Sequence, residues 1–113
     1  MSTTSKTAAA QVYRKKVSEI LNCAADFTGL MASGEAFTGT PTITVTGVTT
    51  DNVAISSGVL TIMSTSVAAG QAITWRVSGG TAGTIYVMTV TGSTNASPSQ
   101  TLMLDCILEV EAN

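Results

Sequence analysis

Histidine is missing altogether from these 113 residues. Without an imidazole the chain has no Ser-His-Asp triad, no Cys-His nucleophile and no histidine-ligated metal centre. The two cysteines, Cys23 and Cys106, are too few and too far apart for a zinc site or a disulfide scaffold. No run of about 18 apolar residues occurs, which excludes a membrane-spanning helix. The opening Met1-Ser-Thr-Thr-Ser-Lys6 lacks the apolar stretch of a signal peptide. The expectation is a product used without secretion, with both thiols reduced and a Cys23–Cys106 disulfide as the alternative.

Charged residues are scarce, at 11%, and the few carboxylates are scattered. Asp26, Asp51 and Asp105 form no spacing that would set two carboxylates face to face for glycoside hydrolysis. Asp51-Asn52 is a turn signal more than a calcium loop, and Asp26 reads as a local backbone cap. Gly79-Gly80-Thr81-Ala82-Gly83 lacks a following Lys-Ser/Thr and joins two strands, so it is no phosphate-binding loop. The reading is a protein without catalysis, metal or cofactor.

The charge that exists is unevenly placed. Residues 1–19 hold Lys6, Arg14, Lys15 and Lys16 against Glu19, whereas residues 20–113 hold Arg76 against six acidic residues. A basic segment before an acidic body suits docking on an acidic neighbouring subunit. Four basic residues without interleaved aromatics are too small a footprint for nucleic acid. Lys6, Arg14, Lys15 and Lys16 are therefore the candidate partner-binding residues. Residues 1–16 are read as an N-terminal arm, flexible or ordered by a partner, with a short helix over Gln11–Leu21 as an option. Removing the arm is then expected to leave the domain folded.

Thr, Ser, Gly and Val fill the rest of the chain, and β-branched residues suit a pleated surface. Ile73–Val77 and Ile85–Val90 alternate, placing Ile73, Trp75 and Val77 on one face. Further strands are predicted at Ile20–Phe27, Thr40–Thr46, Val53–Ser56, Val59–Met63 and Thr101–Glu111. Ser57-Gly58 would turn Val53–Ser56 back on Val59–Met63 as a hairpin. Pro41 fits only an edge or a strand start. Tyr86 stands where sandwich folds place a corner tyrosine that bonds back to the preceding loop. The prediction is an all-β, immunoglobulin-like β-sandwich of about seven strands over residues 17–113. Its core would hold Ile43, Val45, Ile73, Trp75, Val77, Tyr86, Met88, Val90, Leu104 and Cys106. The polar loop Ser93–Gln100 is the most exposed candidate for recognition.

Two segments carry a family resemblance. Asn22-Cys-Ala-Ala-Asp-Phe-Thr-Gly-Leu-Met31, followed by Gly34-Glu-Ala-Phe37, is similar to the opening D-Y-x-x-D-[WF]-[ST]-x-[WL]-L and G-[DE]-x-I of a family of small structural proteins of tailed bacteriophages. Trp75-Arg-Val-Ser-Gly-Gly-Thr-Ala-Gly-Thr-Ile-Tyr86 closely resembles that family's V-W-L-S-G-G-T-A-G-x-x-Y. The resemblance runs from about residue 17 to residue 111. Cys23 replaces the usual aromatic, Phe27 the usual Trp, and Ser93–Gln100 lacks the frequent G-R-x-D-x-R segment.

The resemblance implies an immunoglobulin-like virion component, a fibre-to-tail adaptor or a head decoration protein, made in the host cytoplasm. Its implied partners are tail, portal, fibre or capsid subunits, in several symmetry-related copies, with no nucleic acid and no membrane. The competing reading is an exposed binding module that grips host-surface glycans through Ser93–Gln100.

Overall fold

The computed structural model describes residues 11–113. Nine strands form among them: β1 (Gln11–Lys16), β2 (Leu21–Asp26), β3 (Phe37–Thr44), β4 (Thr49–Ile55), β5 (Leu60–Ile62), β6 (Thr65–Val67), β7 (Ala72–Ser78), β8 (Ile85–Thr94) and β9 (Thr101–Glu111). The only helical element among these residues is a 3-10 turn at Thr28–Leu30. One sheet has the order β1-β9-β8-β3 and the other β2-β7-β4, with β5-β6 as a separate ribbon. Setting that ribbon aside, β2, β7 and β4 take the places of strands B, E and D of an immunoglobulin domain, and β3, β8 and β9 those of C, F and G. The expected all-β sandwich is the observed fold.

Alternation decides what each sheet buries. Trp75, Ile73, Val77, Cys23 and Ala25 point inward from one sheet, and Met88, Val90, Cys106, Leu108 and Val110 from the other. Phe27 and Phe37 close one end of this core with an edge-to-face contact, ring centroids 4.7 Å apart. Ile43, Val45, Tyr86 and Leu104, expected in the core, are only partly buried against it.

The opposite end is closed by the corner tyrosine. The Thr81 N–H donates to Tyr86 Oη at 2.8 Å. The ring lies so close to Gly47 and Gly80 that a Cβ would sit 2.7 Å and 3.3 Å from its carbons. Both glycines have positive φ, +99° and +98°. Chain reversal and ring contact together demand glycine there.

Two expectations change. Residues 11–16 are neither helix nor arm: they pair in parallel with β9, from Gln11 beside Cys106 to Lys16 beside Glu111. Val12-Tyr13 supply β propensity, and the alternation turns Gln11, Tyr13 and Lys15 inward. The rest of the predicted arm, residues 1–10 with Lys6, lies outside the described residues. Nor does Val53–Ser56 pair with Val59–Met63. β4 pairs with β7 instead, and β5 turns at Met63-Ser64 onto β6. Both turn residues have positive φ, +49° and +66°, as a two-residue type I′ connection requires. The ribbon packs Ile62 and Val67 on Ala72 of the second sheet's outer face, where Ala24 and Ala72 are small enough to admit it.

Edges are handled individually. β3 and β4 each carry a register break, between Thr38 and Thr42 and between Asp51 and Ala54. Bulges of this kind spoil a strand for further pairing, and Pro41 sits within the first. The free edge of β2 is covered by side chains of β1. The Ala24 N–H donates to Tyr13 Oη at 3.0 Å, and Tyr13 donates to the Ala24 carbonyl at 2.6 Å. The Asp26 N–H donates to Gln11 Oε1 at 2.7 Å, while Gln11 Nε2 donates to the Ala24 carbonyl and to Tyr13 Oη.

Candidate functional site

The basic residues are parted by the pleat. Arg14 and Lys16 face outward on β1, and Arg14 Nε contacts Glu109 Oε1 at 2.9 Å. Lys15 faces inward and is 1% exposed. Its Nζ donates to the carbonyls of Lys16 and Val17 at 2.8 and 3.0 Å, so it ties down the β1–β2 turn and is out of a partner's reach. Of the four residues read as anchors, Arg14 and Lys16 share one surface.

That surface is the outer face of β1-β9-β8-β3. One row across it is Val12–Ile107–Val87, and the next is Arg14–Glu109–Ile85. Val12, Val87 and Ile85 are 45%, 48% and 63% exposed, and Met103 further along β9 is 61% exposed. Asp105 is turned onto Thr89, whose hydroxyl donates to it at 2.7 Å. The result is an apolar strip with an ion pair beside it. Sequence reading passed over these residues, although a signal existed: Ile85-Tyr-Val-Met88 and Cys106-Ile-Leu108 are apolar on both faces. A strand wet on one side alternates; one covered on both sides need not.

A cleft of about 550 Å³ opens on the other sheet, floored by Asn22, Thr74 and Arg76 and walled by Leu60–Met63. Trp75 Nε1 is buried beside it with no hydrogen-bond partner among the described residues. Trp75 itself is 2% exposed, so its ring offers no stacking platform for a sugar. Arg76 is locked to Asp51 by two bonds, Nε to Oδ1 at 2.9 Å and Nη2 to Oδ2 at 2.7 Å. The hydrogen bond from Arg76 holds the Asp51 carboxyl below its ordinary range.

The remaining sequence candidates have structural work. Asp26 Oδ1 accepts the Thr28 N–H at 2.9 Å, as a local cap. In the glycine loop, the Thr81 N–H goes to Tyr86 and the Gly83 N–H to the Val110 carbonyl. In Ser93–Gln100, Thr94 Oγ1 accepts the N–H groups of Ala96 and Gln100. Asn95 exchanges backbone and side-chain bonds with Ala36. Much of this loop's hydrogen bonding is thus spent on its own shape. Among the described residues, no group of three or more His, Cys, Asp or Glu is assembled for a metal.

Both cysteines are free and buried, in opposite sheets. Burial pushes each thiol up from 9.0 to about 12; the Cys106 charge adds for Cys23 and the Asp105 charge for Cys106. Thiolate is the reactive form. Native protein at pH 8 is therefore expected to resist iodoacetamide at both positions, and urea-unfolded protein to take up two labels by intact mass. The shift also fixes an alkaline limit. The unfolded chain releases these protons first, so the thiols' contribution to stability is whole below pH 9 and is lost as pH rises toward 12.

No protein-family model, curated protein or solved structure matches the chain.

Proposed function

We propose that this chain is a non-enzymatic structural component of a tailed-phage virion, an immunoglobulin-like module that serves as a tail or fibre adaptor or as a capsid decoration through protein–protein contacts. The observation that carries the reading is the apolar strip Val12–Ile107–Val87–Ile85 on the outer face of the larger sheet. Contiguous exposed apolar side chains mark contact surfaces more than solvated ones. The motif resemblance over residues 75–86 supplies the setting, and the same residues build the corner that holds the sandwich together. Glycan recognition through Ser93–Gln100 has less support, because Thr94 and Asn95 of that loop are already hydrogen-bonded to its own backbone and to Ala36.

Mass spectrometry of purified phage particles tests the reading. The polypeptide is expected in stoichiometric amounts, and its absence from particles would refute the proposal. Val87→Asp, with an unchanged circular dichroism spectrum, is expected to lower the copies per particle at least roughly tenfold, since a carboxylate would have to be desolvated in the contact.

A further inference from the structure

We propose that the outer face of β1-β9-β8-β3 pairs with the same face of a second copy of this chain. The inference rests on the reading above only in treating this face as a contact surface, and it names the occupant.

The argument is the arrangement of charge around the strip. Arg14 and Lys16 project from β1, and their register partners on β9 are Glu109 and Glu111. Positive and negative columns thus run side by side, one strand spacing of about 4.8 Å apart. A two-fold axis parallel to the strands and midway between β1 and β9 lays each β1 over the partner's β9. Arg14 then meets Glu109 of the second copy, Lys16 meets Glu111, and Val12 meets Ile107, each contact occurring twice. One face thus supplies both halves of the match, and a contact of this isologous kind closes on itself. Val87 and Ile85 on β8 flank the seam and are covered from one side.

The size of the face sets the strength. The strands laid over each other are β1 and β9, paired over six residues, about 20 Å, and about 10 Å wide together, which gives roughly 200 Å² per copy plus the near side of β8. A standard interface takes about 800 Å² from each partner. Association is therefore expected to be weak and concentration-dependent, and strongest where copies are already held together.

Sedimentation equilibrium on the full chain reads this directly. The weight-average mass should climb from 11.5 kDa toward twice that value as concentration rises to about 1 mM. Arg14→Glu and Glu109→Arg, each checked for an unchanged fold, are expected to weaken self-association about tenfold or more. Mixed in equal amounts they should associate again. The introduced carboxylate of the first variant then faces the introduced guanidinium of the second, and the native Glu109 of the first faces the native Arg14 of the second. A wild-type chain that stays monomeric, charge variants that associate like wild type, or a mixture that stays monomeric would each overturn the proposal. A monomeric chain whose Val87→Asp variant is still lost from particles would overturn this inference alone and leave the virion reading standing.

Discussion

Deleting residues 1–16 is expected to leave an unfolded chain, not a trimmed domain. The cut removes β1 and with it a six-residue parallel ladder against β9. Tyr13, which packs on the core, goes too, as does buried Lys15 with its two carbonyl bonds. Several ladder hydrogen bonds at about 1 kcal/mol each and the burial of Tyr13 sum to on the order of 5 kcal/mol. A domain of this size has about 5–15 kcal/mol in total. Urea titration followed by tryptophan fluorescence of Trp75 should show no cooperative transition for the truncated chain at 25 °C. A sigmoidal unfolding curve like that of the full chain would contradict the placement of β1. Loss of assembly in such a deletion would then report folding, so anchoring is better tested through Lys16, which is exposed and makes no core contact.

The second large effect is expected at Phe37. Its ring lies against Gly92 of β8: a Cβ there would be 2.6 Å from two ring carbons and 3.0 Å from Ile73 Cδ1. Glycine in mid-strand exposes backbone to the ring, and the aromatic covers the gap. Phe37→Ala should cost about 3–5 kcal/mol, through lost burial and the cavity beside Phe27. Gly92→Ala should cost about 1–3 kcal/mol, because the ring has no room to retreat. The two should not add. With the ring gone, the new methyl meets only Ile73, so the double variant should be at least about 1 kcal/mol more stable than the sum of the singles predicts. Equilibrium denaturation of the four proteins measures this coupling, and strict additivity would show that ring and glycine do not touch.

Most of the sandwich could be read from the residues, and the parts that could not have physical reasons. β7 alternates clearly, and the predicted span Thr101–Glu111 coincides with β9. Tyr86 was identifiable because a corner tyrosine needs only its place at a strand start and a glycine loop before it. β1 was hidden because its partner lies some 95 residues away and a parallel pair leaves no turn between its strands. Its Lys-Lys sequence also reads as solvated, and nothing local shows that Lys15 finds two carbonyls. The β5-β6 ribbon was missed because Met63-Ser64 occupies a turn that Asn-Gly normally announces. Phe27 and Phe37 sit at strand ends, where alternation is too short to give a face. Of the candidate contact surface, Arg14 and Lys16 were anticipated for their charge. The apolar side chains beside them were not, although the unbroken apolar runs Ile85–Met88 and Cys106–Leu108 mark both faces of their strands.

The side-chain cover over β2 has a consequence for the proposed role as a part used in quantity. An immunoglobulin sandwich whose first strand sits on the far sheet leaves a row of amide groups open to any extended segment that drifts past. Identical modules crowded on one particle would offer one another just such segments, and a daisy chain of stolen pairings would follow. Here a phenol and a carboxamide answer those amides from within the same molecule, so in the proposed role contacts between neighbours would be left to faces, which can be broken and remade, and kept off backbones, which would fuse them.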